Sequence, residues 1–174
     1  MRVMRFFLPV MLVFALASAA QAQVQAKIGF INSQIIIEQD SAAQAAQAQF
    51  DADLARYQAE LTQLGQQGTA LVQQYQQQQA MLSEEARANR EEEIRLKQEE
   101  YNQRAAQLDQ QAAARRAELL QPVMDRINRV IEQVRSEGGY TVIFDLTGPS
   151  VVASDPALDL TQQIIDRLKA TPFR

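Results

Sequence analysis

Between residues 50 and 82 the apolar side chains recur in alternating steps of four and three: Phe50, Leu54, Tyr57, Leu61, Leu64, then Leu71, Tyr75 and Leu82, interrupted only at Gly68 and Gln78. Such spacing returns side chains to one stripe of a helix and lets that stripe lie along a second helix. The same chain supplies the second helix. Ile94, Tyr101 and Leu108 keep a seven-residue step, with Ala105 and Ala112 in the intermediate places, so two seams of matching period can bury each other. Residues 41–137 are therefore read as a long antiparallel coiled-coil hairpin that reverses near residues 81–83. There Ser83 suits a helix cap, and Glu84 and Glu85 suit the positive end of a restarted helix. One continuous helix is the alternative, and the change of seam phase across the reversal speaks against it. At about 1.5 Å per residue, an arm of some forty residues is on the order of 60 Å long.

The rest of the sequence restricts what such a rod can do. There is no Cys and no His, which removes disulfides, thiolate nucleophiles, imidazole bases and the commonest transition-metal ligands. No cofactor or metal is expected, nor an enzyme. Asp145, Asp155 and Asp159 lie near turns and helix starts, where capping accounts for them. The charged stretch over residues 84–100 offers pairs such as Glu91 with Arg95 and Glu93 with Lys97, spaced to support a solvated helix. A formal net charge of -4 without a basic stripe opposes nucleic-acid binding. Gly65 and Gly68 are soft points in the first arm, each costing about 1 kcal/mol relative to Ala. Gly68 falls on the seam, where a missing side chain either admits the partner backbone or leaves a local gap. Pro122 lacks the amide that a helix interior requires and is expected to bend the second arm where it meets the body.

Residues 23–40 and 138–174 are read as that body. Ile28 and Phe30 share one face of a short strand, residues 35–37 either extend it or, with Glu38, Asp40 and Ser41 following, make a short turn or helical entry to the long helix, and Gly138 with Gly139 ends the second arm. Residues 140–146 carry the strongest strand signal. After a turn at Gly148 and Pro149, residues 151–153 are expected to form a further strand and close a β-hairpin. Asp159 or Thr161 then caps a last helix with Leu160, Ile164, Ile165 and Leu168 on one face. Three short strands and one short helix are too little to build a core from one copy, so assembly through strand edges is expected.

At the other end, Arg2 and Arg5 precede an apolar run over residues 6–17 and the small residues Ala20 and Ala22. This is the pattern of an export signal, residues 1–22, with cleavage expected before Gln23 and a bacterial periplasm as the expected destination. A retained membrane anchor is the alternative, and the short run followed directly by small residues speaks against it.

The mature region begins KIGFINSQ, continues through a long Gln- and Glu-rich hairpin to LLQPVMDRINRVIEQVRSEGGYTVIFD, and closes with DLTQQIIDRLK. In this it resembles the Skp/OmpH family of periplasmic chaperones over essentially its whole mature length. The resemblance implies a mainly α fold in which helical tentacles project from a small β barrel formed by three subunits. Ile28 and Phe30 match the first strand of that trimer body, Val142 and Phe144 the central strand, and Val151 the next. It implies a homotrimer that holds unfolded outer-membrane proteins in a cavity between tentacles, without ATP, and delivers them toward the outer-membrane assembly machinery, with transient contact to that machinery or to the membrane surface. The best-known members are strongly basic, whereas this chain has a sequence pI near 4.9, so no lipopolysaccharide site is carried over. A secreted coiled-coil adaptor that spaces envelope components is the alternative; it requires one preferred partner at the hairpin tip.

Overall fold

The computed structural model describes residues 26–149 and 151–171; the expected export signal and cleavage site lie outside them. The chain begins with β1 (Ile28–Ile31), turns into α1 (Ser33–Gln39) and continues through α2 (Ser41–Gln78). It then reverses and returns along α3 (Glu84–Glu137), β2 (Val142–Asp145), a turn of 3-10 helix (Pro156–Leu158) and α4 (Thr161–Ala170). With 38 residues in α2 and 54 in α3, the arms measure roughly 57 and 81 Å. The surplus of α3 runs back into the body.

The reversal occupies the residues between Gln78 and Glu84, and Ser83 caps α3 by accepting from the Ala86 amide (3.3 Å). At the other end of α3 the chain leaves the helix through a paired-glycine stop. Gly139 adopts φ +66°, the Tyr140 amide donates to the Arg135 carbonyl (2.9 Å) and the Gly139 amide to that of Ser136 (3.2 Å), the bonding pattern of a Schellman motif. Pro122 lies inside α3 without interrupting it.

β1 and β2 pair in parallel, with Ile28 opposite Val142 and Phe30 opposite Phe144. A parallel pair needs a long crossover, and the whole hairpin serves as that connection. On its other edge β1 bonds to the segment before α4: the Leu160 amide donates to the Phe30 carbonyl (2.7 Å). The expected β-hairpin closed by residues 151–153 does not form. The Asp145 carboxylate and carbonyl accept from the Thr147 and Gly148 amides, turning the chain off the sheet, and Val151 lies in an irregular segment next to Val152, which is 99% exposed.

One copy does build a core, contrary to the expectation from its few strands. Ile31, Ile36, Ala43, Ala46, Val123, Ile127, Val130, Val134, Leu160, Ile164, Ile165 and Leu168 form a single buried cluster. Counting only strands and the last helix overlooked the root of the hairpin. The start of α2 and the last four turns of α3 pack against α1 and α4, and the wide apolar stripe Val123, Ile127, Val130 and Val134 meets more than one neighbour. Arg126 fastens this junction. Its guanidinium donates to Asp40 at the α1–α2 joint (2.7 Å) and to the carbonyls of Leu168 (2.5 Å) and Thr171 (2.7 Å) at the end of α4. Asp40 also caps α2 by accepting from the Ala43 amide (2.9 Å), so both buried charges are hydrogen-bonded.

Candidate interaction surfaces

The small sheet has two unlike faces because neighbouring residues of a strand point to opposite sides. Gly29, Ile31 and Ile143 turn toward the core. Ile28, Phe30, Val142 and Phe144 share the reverse face, where the Phe30 and Phe144 rings stack with centroids 6.0 Å apart. This reverse face stays open: Ile28 is 36% and Phe144 43% exposed. Four of the five expected body residues thus converge on one apolar patch, and Val151 is not part of the sheet.

The hairpin seam is shallow. Phe50, Tyr57, Leu61, Leu64, Leu71, Tyr75, Ile94 and Tyr101 are half-buried, Leu108 is 2% exposed, and Leu54, expected on the seam, is exposed beside it. Two helices alone cannot cover both sides of one another's stripes. Polar contacts clip the arms together along one flank. Arg115 donates to Asp53 (2.8 Å), Arg104 to Glu60 (3.0 Å), Lys97 to Gln67 (3.3 Å) and Tyr75 to Glu91. On α2 the members Asp53, Glu60 and Gln67 recur every seven residues, just ahead of seam positions Leu54, Leu61 and Gly68, the flanking place from which coiled-coil partners pair.

These contacts set the electrostatics. The Arg115 hydrogen bond, helped by Arg56 and opposed by burial, holds the Asp53 carboxyl below the usual carboxylate range. Arg104 does the same for Glu60, and the Glu91 carboxylate raises the Tyr75 phenol. The expected pairs Glu91 with Arg95 and Glu93 with Lys97 do not form. Arg95 bonds Glu92 and Glu99, Arg90 bonds Glu93, and Lys97 bonds Glu100, while Glu91 is taken up by Tyr75 across the hairpin. Spacing on one helix could not reveal that cross-hairpin competitor.

At Gly65 and Gly68 a cleft of about 360 Å³ opens between Leu64 and Val72 of α2 and Ile94 and Tyr101 of α3. A local gap is therefore what the missing seam side chain leaves.

Asp145, Asp155 and Asp159, the acids near turns and helix starts, are hydrogen-bonded locally or across the body, but among them only Asp155 is a helix cap; α4, expected to be capped by Asp159 or Thr161, has Leu160 at that place with no side-chain bond. Asp145 accepts from the Ser33 amide (3.2 Å) and hydroxyl (2.5 Å), Asp155 from the Ala157 amide (2.9 Å), and Asp159 from the Thr161 amide (2.8 Å). Among the described residues no acidic cluster is arranged to hold a metal, and no helix is long and apolar enough to cross a membrane.

A search of curated proteins gave no match. Among solved structures, one described as a candidate outer membrane chaperone (OmpH-like) from Caulobacter crescentus CB15 superposes with a TM-score of 0.74. The two are 17% identical, and the match covers 83% of this chain and 85% of that one. The fold is shared. The model of the family described as "Outer membrane protein (OmpH-like)" matches residues 27–168, from β1 through the apolar face of α4, and on that match this chain belongs to the OmpH-like family.

Proposed function

We propose that the mature chain is an ATP-independent periplasmic holdase that assembles as a homotrimer and keeps unfolded outer-membrane proteins soluble between its hairpins. The observation that carries this reading is the open apolar face of Ile28, Phe30, Val142 and Phe144. A stacked aromatic pair on a two-stranded sheet is unstable in water by itself and is covered when sister copies bring up the same face. Three hairpins then project from one hub. An unfolded β-barrel precursor exposes apolar segments and strand edges that aggregate on meeting other chains, and enclosure among rods prevents such meetings. The shallow seam leaves Leu, Tyr and Ala surface, with Gln and Arg stems, for many weak contacts. Gly65, Gly68 and Pro122 are the points at which the arms yield to precursors of different size. Catalysis forms no part of this activity. Delivery involves transient contact with the membrane surface or with the assembly machinery of the outer membrane.

The test is light scattering from a urea-denatured outer-membrane β-barrel protein diluted into buffer with the mature chain. Suppressed scattering for several unrelated precursors supports holding. Precipitation of all of them, or protection of a single preferred partner through the hairpin tip, refutes it.

A further inference from the structure

The cleft at Gly65 and Gly68 is an empty hole in a coiled coil. Along α2 each seam position should offer a side chain to a hole on α3, and at Gly68 that knob is missing. Packing does not demand its absence. A methyl group at Gly68 would lie 3.8 Å from Lys97 Cγ, and one at Gly65 3.7 Å from Tyr101 Cε2, both ordinary contacts. Two glycines thus lower helix stability relative to alanine while keeping the floor of the cleft low.

The walls narrow the choice of occupant. Leu64, Val72 and Ile94 give apolar sides and Tyr101 an aromatic one, while Lys97 stands at the rim with its ammonium toward Gln67 and Glu100. A volume of about 360 Å³ sits at the low end of the ~300–1,000 Å³ range of small-ligand sites, so it has room for one ring and not for a helix. The edge of an aromatic ring complements the face of another, a face that a branched aliphatic side chain does not offer.

We propose that this cleft is a subsite for a single aromatic side chain of a bound unfolded polypeptide, which enters as the knob the hairpin lacks. It rests on the holding activity proposed above and adds to it a preference in the otherwise diffuse contact surface. Aromatic-rich segments dock midway along the arm, and each docked ring stiffens the hairpin at its softest point.

Because the chain contains no Trp, an unstructured peptide with one tryptophan reports its own burial by fluorescence. The mature protein should shift that emission to the blue and bind the peptide about fivefold tighter than its leucine counterpart. Gly68→Leu fills the hole from within and should raise thermal stability while removing the preference. Gly65→Ala with Gly68→Ala, a smaller change, should weaken it. An unchanged tryptophan preference in a folded Gly68→Leu protein, or in the double alanine variant if the first does not fold, overturns the proposal. A wild type that keeps denatured precursor soluble without preferring tryptophan overturns the subsite and leaves holding intact. One that binds neither peptide and lets the precursor precipitate overturns both.

Discussion

A methyl group on Gly29 would stand 2.5 Å from Leu160 Cδ1 and 3.3 Å from both Leu160 Cγ and Tyr140 Cδ1. Leu160 is buried in the core and its amide is bonded to β1, so it has little freedom to retreat. Gly29→Ala is expected to destabilise the body by about 1–3 kcal/mol, read as a lower urea midpoint. Asp145 gives a pH signature. Burial pushes its carboxyl up, but the Ser33 hydroxyl and the Thr147 and Ser33 amides outweigh that, and the group titrates below the ordinary Asp range. A depressed folded value contributes stability that is complete above the unfolded pKa, about 3.9, and is lost as pH falls through the folded one. Asp145→Asn should therefore lower stability at neutral pH and flatten its decline below about pH 4, seen in denaturation curves across that range. At this scale the sequence was legible where chemistry is local. Ser83 and the Gly138–Gly139 stop stand where capping preference puts them. Asp159 and Thr161, the expected caps of α4, do not cap it, because Leu160 holds that place without a side-chain bond, and the tie from Ser33 to Asp145 spans the entire hairpin and has no local signal.

The hairpin shows how far periodicity reaches and where it stops. The seam from Phe50 to Leu108 was legible apart from Leu54, which is exposed beside it, because period alone selects the facing stripe. The flank contacts were not, since pairing Asp53 with Arg115 or Glu60 with Arg104 requires the register of the two arms, and that depends on where the chain reverses. The third strand is missing because of the turn before it. The apolar run at residues 151–153 has strand composition, but the Thr147 and Gly148 amides bond back to Asp145 and turn the chain away from the remaining edge of β2, the neighbour that strand would have needed. At Gly65 and Gly68, where modest contacts await a methyl group, Gly65→Ala with Gly68→Ala should stabilise the hairpin by about 1 kcal/mol per site, measured as a higher thermal midpoint. A loss of stability would mean that the arms approach more closely there than the cleft allows.

For the whole molecule, the proposed assembly needs a different cause from the one the sequence suggested. A single copy buries a continuous core at the hairpin root, so incompleteness of the core is not the reason; on the proposed reading the uncovered reverse face of the sheet is. Placing charge on that face separates the two ideas. Phe144→Glu should leave helicity by circular dichroism nearly unchanged while breaking the assembly, because residue 144 is exposed in one copy and its partner Phe30 only half-buried. Loss of helicity together with loss of assembly would show instead that the single-copy core does not stand alone. The most direct measurement is analytical ultracentrifugation of the purified mature protein, alone and after mixing with a urea-denatured outer-membrane β-barrel protein. The expected result is a particle of three chains that sediments with the precursor as one soluble complex. A folded species of one-chain mass at micromolar concentration, with the precursor pelleting by itself, would contradict it.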